Sequence, residues 1–352
     1  MVTMGDVARL AGVSQSTVSH VLNDTRTVSD ASRAAVLRAI ADTGYRQNAL
    51  ARSLATSRTM TLGLASTPVS NPYFGDLVQS VERSARAAGY SLLLGDTHDD
   101  PDQEQQVVQH LADRRVDGVL LAPSAGAAEG ALPFLRAAGL PTVLVDRFAH
   151  AELDQVAPEN ENATSMLTEH LADLGHHRIT MVSGLAGLHS STERLAGYRR
   201  VMRRRGLDDD PALVVEGRSS VATAEQAVLD HFAAGHRPSA MVIGNNAMTI
   251  GAMKALRRLG VRIPEDVALV CYDDFEWADL FEPRLTAIAQ DVQAMGTRAV
   301  SMMVDRINDP DLPFRQERIP PRYQHRTSCG CTDPAGHPGA VHLEASLTTA
   351  LP

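Results

Sequence analysis

The sequence is poor in the residue types on which small secreted proteins and membrane proteins depend. Its 352 residues include three cysteines, one tryptophan and only 4% aromatic residues. Cys271, Cys329 and Cys331 are too few for a disulfide scaffold and fit a reducing compartment. No apolar run is long enough to span a bilayer, and Asp6 and Arg9 interrupt the segment where a signal peptide would need its apolar core. We therefore expect a cytoplasmic protein with an aliphatic core and no membrane contact.

Positive charge is scarce along most of the chain but is concentrated near the amino terminus. Hydrophobic residues make up 44% of the sequence and charged residues 21%, which is ordinary for a globular protein of two or three domains. Up to residue 60 there are seven Arg, four Asp and no Lys, a net charge of +3, whereas the whole chain carries −9 and the remainder therefore −12. A basic segment on an acidic body is the asymmetry expected of a nucleic-acid-binding protein.

The basic segment contains a pattern of two short helices joined by a tight turn. Over residues 6–23 apolar residues recur four positions apart, as at Val18 and Leu22, which gives each helix one apolar face. Gly12 allows a sharp corner between the helices, and the hydroxyl of Ser14 can cap the second one. This is a helix-turn-helix arrangement, whose second helix enters the major groove of DNA.

With the apolar face of the second helix turned inward, four side chains that can hydrogen-bond to base edges or phosphates face outward. They are Gln15, Ser16, Ser19 and His20. A helical hairpin with a solvated polar face would show the same pattern, so the motif alone leaves both interpretations open. A third helix follows and ends at Gly44.

Short strings at fixed spacing extend over the first 54 residues of the chain. They are Asp6-Val-Ala, Gly12-Val-Ser14, Thr17-Val-Ser19, Val21-Leu-Asn23, Gly44-Tyr-Arg and Asn48-Ala-Leu-Ala-Arg-Ser-Leu54. Together they resemble the DNA-binding head of the lac repressor (LacI/GalR) family of bacterial transcription factors, and the similarity continues to about residue 331. The resemblance implies a repressor that binds a near-palindromic double-stranded operator as a homodimer and is controlled by a small, sugar-like effector.

The resemblance assigns the DNA contacts to the second helix and to a hinge helix at about 48–55. The implied DNA-binding residues are Ser14, Gln15, Ser16, Thr17, Ser19, His20, Asn23, Asn48, Ala51 and Leu54. Leu54 falls on the position that wedges into the minor groove in this family. The family usually has Arg at the position of His20, so we expect a different half-site, and it usually has Pro at the position of Gln47, so we expect a looser entry to the hinge.

From Thr59 onward, predicted strands alternate with amphipathic helices. Apolar runs at 60–65, 91–95, 117–122 and 141–145 predict buried parallel strands, and a second series lies near 178–183, 212–215, 239–243 and 267–271. The alternation predicts doubly wound α/β layers, with enough chain for two lobes. The resemblance implies the periplasmic-binding-protein fold. The expected fold class is therefore an all-α helix-turn-helix head followed by a two-lobed α/β core of doubly wound parallel sheets.

The expected domains follow from these patterns and from the resemblance. We place the head and hinge at 1–58 and the effector-binding and dimerisation core at 59–331. The first lobe covers about 59–160 and 289–320, and the second covers about 161–288 and 321–331, so the chain passes between lobes near 160, 288 and 320. Residues 332–352 alternate Ala, Gly, Pro, Thr and Leu without a period, which predicts a disordered tail.

Ligands of open α/β sheets bind outside the carboxyl ends of the strands, and polar or aromatic residues follow most of the predicted strands. Gln290 follows the last predicted strand. At these positions the resemblance implies effector contacts by Tyr73, Phe74, Asp146, Ser190, Arg194, Ser219, Asn245, Asn246, Asp273 and Gln290. Such a set suits a small polyhydroxylated or heterocyclic ligand. The family usually has Asn-Asp where this chain has Asn245-Asn246, so we expect an effector other than the commonest sugars.

The remaining clusters of metal-binding residue types give no comparable pattern. The oxygen-rich loop 96–104 lacks the glycine and the spacing of a calcium site and is better explained as a cap of the following helix. His325, Cys329, Cys331 and His337 lie close together in the sequence, but Cys-x-Cys is tighter than the usual zinc spacing. We therefore expect no bound metal and no cofactor.

Two other functions remain open at this point. One is a solute-binding protein whose amino-terminal helices no longer bind DNA; the absence of an export signal argues against it. The other is an enzyme that uses Asp146 and Asp273 as a carboxylate pair. The sequence contains no glycine-rich phosphate loop, no HExxH and no nucleophile elbow, so we expect a regulator rather than an enzyme.

Overall fold

The computed structural model describes residues 2–23, 26–45, 58–67, 71–149 and 152–331. The chain divides into two compact units, Met1–Met60 and Thr61–Pro352. The hinge positions Asn48, Ala51 and Leu54 and the tail at 332–352 lie outside the described residues, so what we assign to them stays a prediction.

The described residues of the first unit form three helices, α1 (Met4–Ala11), α2 (Gln15–Asn23) and α3 (Asp30–Thr43). A capping box begins α1: the Asp6 amide donates to the Thr3 hydroxyl, and the Thr3 amide donates to the Asp6 carboxylate. Gly12 ends α1 with a φ of 66°, a left-handed conformation that glycine adopts without strain. The Thr17 amide donates a hydrogen bond of 3.1 Å to Ser14 Oγ, which caps α2.

A small aliphatic core joins these three helices. Its buried members are Val7, Ala8, Val18, Val21, Val36 and Ala39. The sequence spacing assigned the inner face of α2 to Val18 and Leu22, but Leu22 is only half-buried and Val21 is buried instead. Spacings of three and four both lie on one helix face, so the helix is rotated slightly from the predicted orientation.

The second unit alternates strands and helices along its described length. In chain order the elements are β1 (Thr61–Ser66), α4 (Pro72–Ala87), β2 (Ser91–Asp96), α5 (Pro101–Asp113), β3 (Gly118–Leu121), α6 (Ala131–Ala137), β4 (Thr142–Val145), β5 (Asp154–Pro158), α7 (Glu161–Asp173), β6 (Ile179–Ser183), α8 (His189–Arg204), β7 (Val214–Glu216), α9 (Val221–Ala233), β8 (Ala240–Ile243), α10 (Asn246–Arg258), β9 (Ala268–Tyr272), β10 (Thr286–Ala289), α11 (Val292–Asn308), β11 (Gln316–Ile319) and β12 (Arg322–Gln324). Short 3₁₀ helices lie at Pro211–Leu213 and Glu276–Asp279. Among the described residues, no helix combines the length and the hydrophobicity needed to cross a membrane.

The strands form two six-stranded sheets, one in each lobe. The first sheet has the order β11-β5-β4-β3-β1-β2, and its neighbouring strands are parallel. The second has the order β12-β10-β9-β8-β6-β7 and is parallel except for β12, which runs antiparallel to β10. In both sheets the strand order reverses beside the first strand, at the switch point where doubly wound folds bind their ligands.

The described chain passes between the two sheets three times. It leaves the first sheet after Pro158, returns to it after Ala289, and leaves again between Ile319 and Arg322. The sequence analysis placed these passages near 160, 288 and 320.

The helix that follows the second passage, α11, is fixed to the first lobe. A Cβ on Gly296 would lie 2.5 Å from Ser80 Oγ of α4, so glycine is needed for this close approach. Asp154, at the start of β5, is fully buried and accepts hydrogen bonds from Arg306 Nε at 3.0 Å and from the Arg315 amide at 2.9 Å. A buried carboxylate requires such partners, because an unpaired charge is costly to bury.

Four strands differ from the sequence-based prediction. The prediction that the strand at 91–95 is buried is wrong: Leu93 and Leu94 of β2 are 38% and 42% exposed, because β2 is an edge strand of the first sheet. β5, β11 and β12 are absent from the prediction, so Gln290 follows β10 and not the last strand. All five residues of β5 are buried although it begins with Asp154 and Gln155, so it shows no apolar run.

Candidate functional site

A cavity lies between the two lobes of the second unit, at the carboxyl ends of the strands. Its volume is about 360 Å³, and both lobes contribute to its walls. The size and the position are those of small-molecule sites in doubly wound folds. The walls combine carboxylates, two guanidinium groups, amides and hydroxyls, so the cavity suits a ligand rich in hydrogen-bonding groups.

Nine of the ten predicted effector-binding residues line this cavity. They are Tyr73, Phe74, Asp146, Ser190, Arg194, Ser219, Asn245, Asp273 and Gln290. The first three belong to the first lobe, Gln290 lies in the passage after β10, and the others belong to the second lobe. The strand ends therefore bring together residues that are far apart in the sequence.

Asn246, the tenth predicted residue, does not line the cavity. Its Nδ2 donates a hydrogen bond of 2.7 Å to Asn71 Oδ1 of the other lobe, and its backbone amide donates to Asp273 Oδ2 at 3.2 Å. This side chain therefore joins the two lobes, and its predicted effector contact stays a prediction. An aspartate, which the family usually has here, could not donate the bond to Asn71.

Asp146 is the centre of the first-lobe wall. It follows β4 in a left-handed conformation, with a φ of 73°, and accepts a short hydrogen bond from the Tyr73 hydroxyl. Arg147 forms ion pairs with Asp146 and Asp99. Burial raises the pKa of Asp146, and Arg147 and the Tyr73 hydroxyl oppose this shift. The wall is thus a network of charged groups that are already hydrogen-bonded to one another.

Arg194 is the corresponding group of the second-lobe wall. It is buried in the first half of α8, where its Nε donates to Asn160 Oδ1 at 2.8 Å and its Nη1 donates to the Gly244 carbonyl at 2.7 Å. The guanidinium carbon lies 3.6 Å from the centre of the Tyr272 ring, in a cation–π contact. An amide oxygen, a backbone carbonyl and an aromatic ring therefore orient this group.

Two buried oxygen atoms in the wall have no hydrogen-bond partner among the described residues. They are Thr67 Oγ1 and Gln290 Oε1. Gln290 Nε2 does have one, since it donates to Asp273 Oδ1 at 2.5 Å. Buried polar atoms are almost always hydrogen-bonded in folded proteins, so the two orphaned oxygens mark positions where a ligand can donate.

The sequence analysis did not include several polar residues that line the cavity. They are Thr67, Asn71, Asp99, Arg147, Ser191 and Ser220. Arg147 directly follows Asp146, so the strand-end rule could have found it. Asp99 could not be found in this way, because its loop contains the cap of α5, and Asp100 does provide that cap. In the folded chain Asp99 lines the cavity and pairs with Arg147.

The DNA-binding candidates of α2 differ in exposure. Ser14, Gln15 and Ser16 are exposed, whereas Thr17, Ser19 and His20 are half-buried. Asn23 is the last residue of the helix. The start of α2 is therefore its most accessible part, as a helix that enters a groove by its amino-terminal end requires.

Exposed guanidinium groups are present on the same unit. Arg9, Arg26 and Arg38 are exposed, and Arg9 also pairs with Asp6 at 3.2 Å. Such groups suit contacts with phosphates, which position a protein on the duplex without reading its sequence.

A basic three-helix unit and two α/β lobes around a polar cavity are the organisation of a DNA-binding protein with a ligand-binding domain. The chain belongs to the lacI family of bacterial regulatory proteins, whose family model matches residues 3–48. A periplasmic binding protein-like domain matches residues 168–329.

The relatives agree with this assignment over nearly the full length. The chain is 36% identical to the ribose operon repressor of Escherichia coli strain K12, over 93% of this chain and 100% of the relative. It is 33% identical to the HTH-type transcriptional repressor PurR of Vibrio atlanticus, over 93% of this chain and 98% of the relative.

Solved structures give the same result. The lac repressor dimer bound to operator and the anti-inducer ONPF matches with a TM-score of 0.82 and 26% identity, over 93% of this chain and 99% of that one. A transcriptional regulator CelR–cellobiose complex matches with a TM-score of 0.71 and 29% identity, over 93% and 100%. The family and the fold class predicted from the sequence are confirmed. The chain is a lacI-family transcriptional repressor with a DNA-binding and a ligand-binding domain.

Proposed function

We propose that this repressor acts in the cytoplasm, binds a near-palindromic operator as a homodimer, and is controlled by an uncharged, sugar-like effector in the cavity between the lobes. We infer the class of effector from the charged residues of the cavity wall. Its charged residues are Asp99, Asp146 and Asp273 against Arg147 and Arg194. Since the acidic groups outnumber the basic ones, a neutral polyol is favoured over an anion such as a sugar phosphate.

The aromatic residues of the wall favour a sugar over a stacked heterocycle. Tyr73 and Phe74 contact each other edge to face, with ring centres 5.0 Å apart, and are the aromatic residues among the described lining positions. The larger apolar lining residues of the second lobe are Leu188 and Val221. The described lining positions of this lobe include no aromatic ring that could enclose a base from the other side. The names of two relatives support this choice, since one represses a ribose operon and the other is complexed with cellobiose.

A thermal-shift panel tests the effector class. We expect a neutral pentose, hexose or disaccharide to raise the unfolding temperature, because only the folded chain has the cavity. The phosphate ester of the same sugar should raise the unfolding temperature by less. A nucleoside or a sugar phosphate that stabilises the chain more than every neutral sugar would contradict the proposal.

We also propose that α2 reads the operator. Gln15, Ser16 and His20 contact base edges. The supporting contacts come from Thr17, Ser19 and Asn23 of the same helix and from its cap, Ser14. Asn48, Ala51 and Leu54 of the hinge contact the minor groove, with Leu54 as the wedge. The exposure of Gln15 and Ser16 supports this assignment. A glutamine can form two hydrogen bonds with adenine, whereas His20 offers fewer bonds than the usual arginine offers to guanine.

Selection of bound duplexes from a random pool tests the DNA assignment. Gln15→Ala should change the preferred base at one position of each half-site and weaken binding of the original site by about 1–3 kcal/mol. Gln226→Ala, on the exposed side of α9, is the matched control and should leave the selected sequence unchanged. An unchanged sequence for Gln15→Ala would mean that another element reads the bases.

Effector and DNA binding are coupled, we propose, through Asn160. Its Oδ1 accepts from Arg194 of the cavity wall, and its Nδ2 donates to Glu193 Oε2 at 2.8 Å. Glu193 of the second lobe in turn pairs with Arg318 of β11 in the first lobe. An effector bound to Arg194 can therefore bias the contact between the lobes, provided that it prefers one arrangement over the other.

We further propose that the chain is not an enzyme. Its relatives are repressors, and both carboxylates of the candidate pair are hydrogen-bonded within the wall, Asp146 to the Tyr73 hydroxyl and Asp273 to the Gln290 amide. After incubation with the protein, the NMR spectrum of a stabilising sugar should show no signals of a new product. Appearance of a product would revive the catalytic interpretation.

A further inference from the structure

Two histidines and two cysteines meet in the second lobe, outside the set that lines the effector cavity. His170 is in the last turn of α7, and His325, Cys329 and Cys331 follow β12. Their ligand atoms, one nitrogen or sulfur from each, all lie within 4.8 Å of one another. Cys329 Sγ is 3.4 Å from His325 Nε2, and Cys331 Sγ is 3.6 Å from His170 Nε2.

The backbone fixes the segment that bears the two cysteines. Gly330 has a φ of 86°, and its amide donates to the Thr327 carbonyl at 3.1 Å, which closes a tight turn. Ser328 is fully buried; its hydroxyl donates to the Leu269 carbonyl at 2.6 Å and accepts from the Thr286 amide at 2.9 Å. The turn is thus attached to β9 and β10 by protein hydrogen bonds alone.

We propose that His170, His325, Cys329 and Cys331 bind one zinc ion in a closed structural site. Two sulfurs and two imidazole nitrogens around one ion form a zinc ligand set. In a tetrahedron with Zn–S of about 2.3 Å and Zn–N of about 2.0 Å, ligand atoms lie about 3.3–3.8 Å apart. The measured 3.4 and 3.6 Å fall in this range, and no pair of ligand atoms needs to approach by more than about 1.5 Å.

Charge balance and the surrounding ring support the same site. Two thiolates neutralise a divalent ion, so the complete site carries no net charge, as burial requires. The Tyr323 ring packs against both imidazoles, with ring centres 5.8 Å from His170 and 6.0 Å from His325. The Tyr323 hydroxyl is buried without a hydrogen-bond partner among the described residues. A metal-bound thiolate nearby is a stronger acceptor than a thiol and suits this orphaned donor.

This proposal differs from the sequence-based expectation that no metal is bound. The sequence offered His325, Cys329, Cys331 and His337, whose spacing is unlike a zinc motif, and His337 lies outside the described residues. The fold supplies His170 instead, from a helix far away in the sequence. Zinc at this site would join α7, the first helix of the second lobe, to the last described segment of the chain.

The site has a route for metal entry from solvent. Cys331 is half-buried and lines a surface cleft together with Thr327 and Gly330. Cys329, by contrast, is fully buried in the core of the second lobe. The ion can therefore enter from the side of Cys331, as a testable metal site requires.

Elemental analysis of the full chain tests this proposal. The protein is purified without a polyhistidine tag, in reducing buffer, from zinc-supplemented medium, and zinc is measured per chain. We expect one zinc ion, with at least about tenfold less in Cys331→Ser and in His325→Gln. Cys271→Ser and His176→Gln remove a cysteine sulfur and an imidazole ring outside the proposed site, and both variants should retain the zinc. His337→Gln should also retain it, because His170 is the fourth ligand.

Cobalt(II) substitution provides a readout that a purely structural role of these residues would not produce. We expect the visible bands of tetrahedral cobalt together with a thiolate charge-transfer band, and Cys331→Ser should weaken the latter. Substoichiometric zinc that is equal in wild type and ligand variants would overturn the proposal. So would a Cys329–Cys331 disulfide in protein kept under reducing conditions, or loss of zinc in His337→Gln but not in a His170→Gln variant.

Discussion

Arg194 has contacts that predict a specific defect when it is replaced. Its guanidinium bonds to Asn160 and Gly244 and lines the cavity. We expect Arg194→Ala to keep operator affinity close to wild type but to lower effector affinity by about 10–100-fold, since hydrogen bonds to a charged group contribute about 1.5–3 kcal/mol. The measurement is operator binding with increasing amounts of the stabilising sugar.

Two further variants keep this prediction interpretable. Arg199→Ala removes an exposed arginine from the same helix and should respond to effector as wild type does. Arg194→Lys preserves the charge but not the planar fork, so it should fold and still respond weakly. A normal response in Arg194→Ala would show that the effector binds elsewhere.

The amide pair that joins the lobes gives a second prediction at the scale of single residues. Asn246 donates to Asn71, and Asn71 Oδ1 also accepts from the Tyr73 amide. Asn246→Asp removes the donor and places two acceptors together, so unfolding should require about 1–3 kcal/mol less. Asn71→Asp adds the same charge but keeps the acceptor, and should be near neutral. Equal effects of the two variants on the unfolding temperature would contradict this account.

At this scale the sequence is informative where a residue follows a predicted strand. The strand-end rule places Asp146 and Asp273 together because parallel strands end at one edge of a sheet. It also selects Asn246, which does not line the cavity, since position alone does not reveal whether a side chain turns toward the cavity or toward the other lobe. It misses Asp99, because a loop that caps a helix can also supply an ion pair to the wall.

At the scale of elements, the ion pair between Glu193 of α8 and Arg318 of β11 predicts that the stability of the fold depends on pH. Burial alone would raise the pKa of Glu193, but hydrogen bonds from His189, Arg318 and Asn160 lower it from its ordinary 4.5 to about 2. Since the pKa of the folded state is the lower one, the ionised carboxylate stabilises the fold at pH values above about 4.5. This contribution is lost as the pH falls from there toward about 2.

Glu193→Gln should therefore lower stability at neutral pH, by on the order of 1–3 kcal/mol. The difference from wild type should shrink as the pH falls from about 4.5 toward 2. Urea unfolding at several pH values measures this difference in stability. The control is Glu129→Gln, which changes an exposed glutamate. A difference that stays constant over this pH range would mean that the ion pair does not stabilise the fold.

Elements with an apolar run were predictable, and elements without one were not. β3 and β4 are buried on both faces and show continuous apolar sequences. β5 is equally buried, but its Asp154 is paired with Arg306 and Arg315, and only the folded chain reveals these partners. β2 has the apolar sequence of a buried strand, yet lies at the edge of its sheet, because hydrophobicity does not determine strand order.

For the whole molecule, the family and the two-lobed architecture were predictable, whereas contacts between distant segments were not. The helix-turn-helix strings lie within 54 residues, and strand–helix alternation persists over the rest of the chain. The cluster of His170 with Cys329 and Cys331 depends on the position of α7 beside the last described segment of the chain. No local spacing encodes that proximity, so the sequence led to a different histidine.

Titration of the selected duplex with the full chain, followed by fluorescence anisotropy, tests the central claim most directly. We expect a two-fold symmetric duplex to bind at least about 10³-fold more tightly than random duplex at physiological salt. The stabilising neutral sugar should change that affinity by about 5–150-fold. A chain that binds both duplexes equally, or whose preference no neutral sugar of the panel alters, would contradict the account.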